Sequence, residues 1–172
     1  MTYLLKHTSI EEHEIPEIQL YMDQVLEFFE QNLSPLKRSA DDPIFTKTMI
    51  NNYVKAKVID APLKKKYSKE AIKDLIMVYA FKQVLSIQDT NLLLKALHQT
   101  GENPYNAFKN AESSVIEALN KQILDESERF KDMDSDDLTE KLTLILKLTL
   151  DAALKKRLAE QLLDQLSSSD SK

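Results

Sequence analysis

Apolar residues recur at helical spacing over most of this chain. Ile18, Met22, Val25, Leu26, Phe29 and Leu33 predict one amphipathic helix. Pro16 suits its first turn, where a missing N–H costs nothing, and Ser34-Pro35 ends it. A short second helix is predicted with Thr46 as N-cap. Its inner face is Met49, Ile50, Tyr53 and Val54, and Lys47, Thr48, Asn51, Asn52 and Lys55 fall on the other side. Val58-Ile59 reads as a return to the core, Asp60-Ala61-Pro62 as a turn, and Lys64, Lys65 and Lys66 as an exposed ribbon or loop. Ser68 is expected to cap a helix running to about Leu85, with Ile72, Leu75, Ile76, Tyr79 and Val84 inside. Ser86 and Asp89 fit a capping box for a helix through Leu92, Leu93 and Leu97, which Gly101 ends.

Beyond Asn103 the pattern lengthens. One helix is expected from Tyr105 to about Phe130, with Phe108, Ala111, Val115, Leu119 and Ile123 inside. Another is expected from Asp136 to about Leu166. Within it LTLILKLTL (142–150) alternates like a strand, but its helical flanks and the scarcity of glycine favour helix. The organisation that follows is a frayed N-terminus at 1–14, a helical domain at 15–100, a helical region at 104–167 and a disordered tail at 168–172.

Composition narrows the chemistry. The chain of 172 residues has one glycine and no cysteine. A phosphate-cradling loop and a dinucleotide fingerprint both need several glycines, so both are excluded. Disulfides, thiolate metal sites and thiol catalysis are excluded as well. His7, His13 and His98 are scattered, and no Ser/His/Asp set or paired acids can be placed together. Asp132, Asp134 and Asp136 open like a calcium loop, but the sixth position is Asp137 instead of Gly and the twelfth is Thr143 instead of Glu. Neither catalysis nor a cofactor or metal is expected. The N-terminal segment turns acidic too early for a signal peptide, and no apolar run approaches the roughly 18 residues of a membrane span. The expectation is a cytoplasmic protein.

Charge is unevenly placed. From Thr46 to Lys73 there are eight lysines (Lys47, Lys55, Lys57, Lys64, Lys65, Lys66, Lys69, Lys73) against Asp60 and Glu70, a local charge of +6. The chain totals −5, so the remainder carries −11. A cationic island in an acidic protein suggests a surface for a polyanion.

Helix, connection, helix, basic hairpin, helix, helix is the layout of a winged helix-turn-helix. After Thr46 the residue order resembles the DNA-binding domain of the MerR-type regulators. Ile50, Tyr53, Val58, Ile59 and Pro62 sit at matching spacing, Tyr67-Ser68 follows the basic wing, and Ser86-Ile87 opens the next helix. The likeness covers about fifty of the 172 residues. The core TKTMINNYVKAKVI with KKKYSKE is more similar still to a bacterial family of unknown function with this MerR-like fold. Two departures stand out: Asn51-Asn52 replaces the usual Arg-Tyr, and Lys57 replaces the turn glycine.

The resemblance implies an all-α protein, a MerR-like winged helix-turn-helix followed by a C-terminal helical hairpin or bundle. It implies a homodimeric regulator that binds double-stranded DNA. Lys47, Thr48, Asn51, Asn52 and Lys55 would face the major groove, and Lys64, Lys65 and Lys66 would lie on phosphates. Asn pairs with the adenine edge, and the island has no arginine for guanine, so an A·T-rich site is expected. The competing expectation is a helical adaptor that keeps the fold and binds proteins instead.

Overall fold

Eight consecutive residues from Ala71 to Val78 are buried, so the helix that carries them is packed on every side. The computed structural model describes residues 9–125 and 138–169. Its regular elements are β1 (Leu20–Tyr21), α1 (Met22–Leu33), α2 (Lys47–Lys55), β2 (Lys66–Tyr67), α3 (Lys69–Phe81), α4 (Ile87–Gln99), α5 (Pro104–Asp125) and α6 (Leu138–Ser169). Short 3-10 turns occupy Glu12–Glu14 and Ser34–Leu36. The protein is thus mostly helical. The chain divides into two compact units, Met1–Asn106 and Ala107–Lys172.

Local caps explain where the helices of the first unit begin. Ser68 Oγ accepts the Ala71 N–H at 3.2 Å, and Ser86 Oγ accepts the Asp89 N–H at 3.1 Å. Gly101, with φ of 77°, follows the end of α4 in the left-handed region that favours glycine. The core is built around Phe45, whose ring lies edge-on to Phe29 of α1 at 4.7 Å, to Tyr53 of α2 at 6.2 Å and to Tyr79 of α3 at 5.8 Å. Such pairs contribute about 0.5–1.5 kcal/mol each beyond burial. One loop residue therefore fastens three helices together, immediately before the N-cap of α2.

The start of α1 corrects the sequence reading. The helix begins at Met22, not near Pro16, and Ile18 is 70 % exposed, outside any apolar stripe. Leu20 and Tyr21 form a strand because a partner is available: Leu20 pairs with Tyr67 and Tyr21 with Lys66, antiparallel. The fold is mostly helical, as expected of an all-α protein, and this two-stranded sheet is a small addition to it. Similarly, α3 ends at Phe81 and Val84 is 52 % exposed.

Within the segment expected to fray, residues 9–14 are instead held. Ile10 is 2 % exposed, and its carbonyl accepts a buried hydrogen bond from Tyr105 Oη at 2.7 Å. Glu12 reaches Lys73 of α3 at 2.6 Å. Residues 1–8 lie outside the described residues.

The second unit contains most of α5 and all of α6. The expected helix ends near Phe130 and Asp136 lie outside the described residues, and α6 continues to Ser169, past the expected end at Leu166. Val115, expected inside, is 66 % exposed. Along α6 Leu163 is 5 % exposed, while ten other large apolar side chains are exposed by 44 to 67 %.

Candidate nucleic-acid interface

The outward face of α2 follows from helix geometry. At 100° per residue, positions 47, 48, 51, 52 and 55 fall within an arc of about 140°. Ile50 and Tyr53 point the other way and are buried. All five residues of the outer face, Lys47, Thr48, Asn51, Asn52 and Lys55, are exposed. Thr46 fixes the start of the helix by accepting the Met49 N–H at 3.1 Å.

The C-terminus of α2 closes in a Schellman motif. Val58 N–H donates to the Tyr53 carbonyl at 2.9 Å, and Lys57 N–H donates to the Val54 carbonyl at 3.0 Å. This motif needs a left-handed residue, ordinarily glycine. Lys57 fills the position with φ of 54°. Val58 and Ile59 then enter the core, each 4 % exposed. The chain leaves α2 at an angle set by this turn and reaches the lysine cluster at Lys64, nine residues after the end of the helix.

That cluster is a tight turn. Lys66 N–H donates to the Leu63 carbonyl at 3.0 Å, and the two residues between them, Lys64 and Lys65, have φ of 49° and 67°. Two successive positive φ angles are the signature of a type I′ hairpin turn, which prefers Asn-Gly. Each left-handed lysine costs roughly 1–2 kcal/mol relative to an ordinary conformation. Lys64 and Lys65 are exposed, whereas Lys66 is half-buried with its Nζ 4.9 Å from the centre of the Tyr21 ring. Tyr67 is 2 % exposed and braces the turn from within; its burial pushes the phenol pKa up.

The island is not uniformly free. Lys47 Nζ lies 2.6 Å from Asp23 of α1. Lys69 pairs with Glu17. Lys73 is buried between Glu12 at 2.6 Å and Glu70 at 3.0 Å. Burial pulls the Lys73 pKa down, but hydrogen bonds to Glu12 and Glu70 outweigh it and the net direction is up. The same hydrogen bond from Lys73 holds Glu12 below the usual carboxylate range. Lys69 and Lys73 thus serve the fold. Lys55, Lys57, Lys64, Lys65 and Lys66 pair with no carboxylate among the described residues.

All eight predicted contact residues are therefore at the surface, with Lys66 half covered and Lys47 shared with Asp23. Lys57 is not among the eight, yet it is exposed and directly follows α2. Its signal in the sequence is its place where the resemblance expects glycine. Among the described residues, no three His, Asp or Glu side chains are grouped to hold a metal ion, and no helix is long and apolar enough to cross a membrane.

Comparison with protein families places this first unit. A family model described as a domain of unknown function (DUF1836) matches residues 10–117. The chain belongs to that family. The match opens at Ile10, the residue whose carbonyl Tyr105 holds, and includes α1 to α4 with the first turns of α5. The DUF1836 domain thus contains the whole cationic turn and α2, while α6 lies beyond it. The family description carries no function and no link to the MerR-type regulators. No curated protein and no solved structure matches.

Proposed function

We propose that the DUF1836 domain of this chain is a MerR-like winged helix-turn-helix that binds duplex DNA, and that the protein regulates transcription as a homodimer. One observation carries the reading. Lys57, Lys64 and Lys65 all occupy left-handed positions where glycine or asparagine is easier, and all three are exposed and pair with no acid among the described residues. Strain of this kind points to a use for the side chains, and the use open to ammonium groups around a short polar helix is contact with phosphate.

In this reading α2 enters the major groove with Thr48, Asn51, Asn52 and Lys55 toward the bases. Asn51 and Asn52 can pair with adenine, so the preferred site is A·T-rich. Lys57, Lys64 and Lys65 lie along the backbone on either side, and Lys66 stays over Tyr21. A nine-residue helix reads few base pairs, which is the reason for a dimer. No catalytic step is part of the proposal.

Fluorescence anisotropy of a random-sequence duplex at 50 mM and 200 mM salt tests it. A DNA-binding domain gives binding that weakens steeply with salt. No binding at 50 mM leaves the protein-binding adaptor. Selection from a random pool is expected to return an A·T-rich consensus, and a G·C-rich one would refute the role given to Asn51 and Asn52.

A further inference from the structure

A cleft of about 370 Å³ opens in the first unit between the loop that follows α1 and helices α2 and α3. Its floor is aromatic. Phe45 is edge-on to Tyr53 of α2 at 6.2 Å and to Tyr79 of α3 at 5.8 Å, and Met49 of α2 adds a thioether to the same wall. Neither tyrosine hydroxyl makes a hydrogen bond among the described residues. Tyr53 is only 6 % exposed, yet its hydroxyl is not sealed from solvent. Burial raises both phenol pKa values, with Lys37 opposing this at Tyr79, so both hydroxyls keep their protons at neutral pH and can donate.

Three cations line the cleft as well. Lys37 is held by Glu30, and Lys82 Nζ donates to the Leu85 carbonyl at 3.0 Å. Arg38 is exposed and pairs with no carboxylate among the described residues, not even with Asp42, the acid in the same lining. Arg38 is therefore the cation left to a ligand.

We infer that this cleft binds a small aromatic carboxylate, its ring against Phe45, Tyr53 and Tyr79 and its carboxylate in the fork of Arg38. Ligand pockets span about 300–1,000 Å³, and one at the small end suits a single-ring compound. Aromatic walls favour an aromatic body beyond the area it covers. A planar guanidinium holds a carboxylate through two parallel hydrogen bonds. A free phosphate would use Arg38 and leave the apolar floor bare. The unbonded hydroxyls of Tyr53 and Tyr79 add a preference for a ring that carries a hydroxyl. Met49 and Tyr53 belong to the inner side of α2, so the occupant lies behind the face proposed to read DNA.

The inference does not rest on DNA binding and is tested without DNA, by calorimetric titration of the full chain with 4-hydroxybenzoate. Saturation at one molecule per chain, with Kd below about 1 mM, is expected. 4-Hydroxybenzamide, which has the shape without the charge, and inorganic phosphate are each expected to bind at least about tenfold more weakly. Arg38→Gln, at an exposed and unpaired position, is expected to weaken the acid at least about tenfold with unchanged circular dichroism. Tyr53→Phe, which keeps the ring, should weaken it about threefold or more. No saturation by about 5 mM, or equal affinity in Arg38→Gln, would overturn the inference. Equal binding of 4-hydroxybenzamide or of phosphate would overturn the ligand class. A failed titration leaves the DNA reading untouched, and a bound acid without salt-dependent duplex binding refutes that reading alone.

Discussion

Lys47 Nζ lies 2.6 Å from Asp23 Oδ1, so the first residue of α2 directs its charge to α1. Both side chains are well exposed, at 61 % and 79 %, and such a pair contributes little to stability. Its effect is on the surface potential: an acid sits at the edge of the cationic face and competes with any phosphate for Lys47. Asp23→Asn is expected to strengthen binding to random duplex roughly threefold to tenfold at low salt. Its unfolding free energy from urea titration should change by no more than about 0.5 kcal/mol. Unchanged or weaker binding would mean that Lys47 does not face the DNA.

The turn at Leu63–Lys66 sets stability against binding. Asn and Gly are the residues its two left-handed positions prefer. Lys64→Asn with Lys65→Gly is expected to raise unfolding stability by about 1 kcal/mol or more. The same variant removes two cations and should lose at least about tenfold in duplex affinity near 0.1 M salt. Denaturant titration and anisotropy on one preparation check both halves. A variant that is more stable and binds as well as wild type would show the lysines to be dispensable.

Asp74 gives the first unit a defined pH dependence. Its carboxylate is 9 % exposed, with Oδ1 2.9 Å from His98 Nε2. Burial pushes its pKa above the ordinary 3.8, the hydrogen bond and charge of His98 oppose this, and Asp60 and Glu70 add to the rise. A raised folded pKa means that the proton is held more tightly in the folded state. The stability it brings is complete below pH 3.8 and is lost as pH rises through the folded value. Wild type is therefore expected to be most stable relative to Asp74→Asn near pH 4, with the advantage shrinking toward neutrality. Denaturant midpoints of both proteins across that range check the sign, and an advantage growing with pH would contradict it.

Much of the first unit is legible in the sequence because its signals are local. Thr46, Ser68 and Ser86 each stand before an apolar-periodic run and each caps the helix expected of it. Lys57 stands where a left-handed residue is needed, and it adopts that conformation. What the sequence hides depends on distant partners. Two residues at Leu20–Tyr21 become a strand only because Lys66–Tyr67 returns beside them. Lys73 reads as one more surface lysine, yet it is buried, and the partner that reaches it is the half-exposed Glu12, sixty-one residues earlier. In α6 periodicity identifies the leucines as apolar, but not that the second unit leaves them bare. The outer face of α2 is legible because a nine-residue helix with one buried side leaves no choice about the other.

The most direct test is the salt dependence of duplex affinity for wild type and for Lys64→Ala/Lys65→Ala/Lys66→Ala, followed by anisotropy from 50 to 300 mM salt. Lys64 and Lys65 should each release about one counterion and Lys66, held over Tyr21, at most one. The account predicts that the slope of log affinity against log salt flattens by roughly 2 to 3 in the variant. A slope identical to that of wild type, or no measurable binding by wild type at 50 mM, would contradict it.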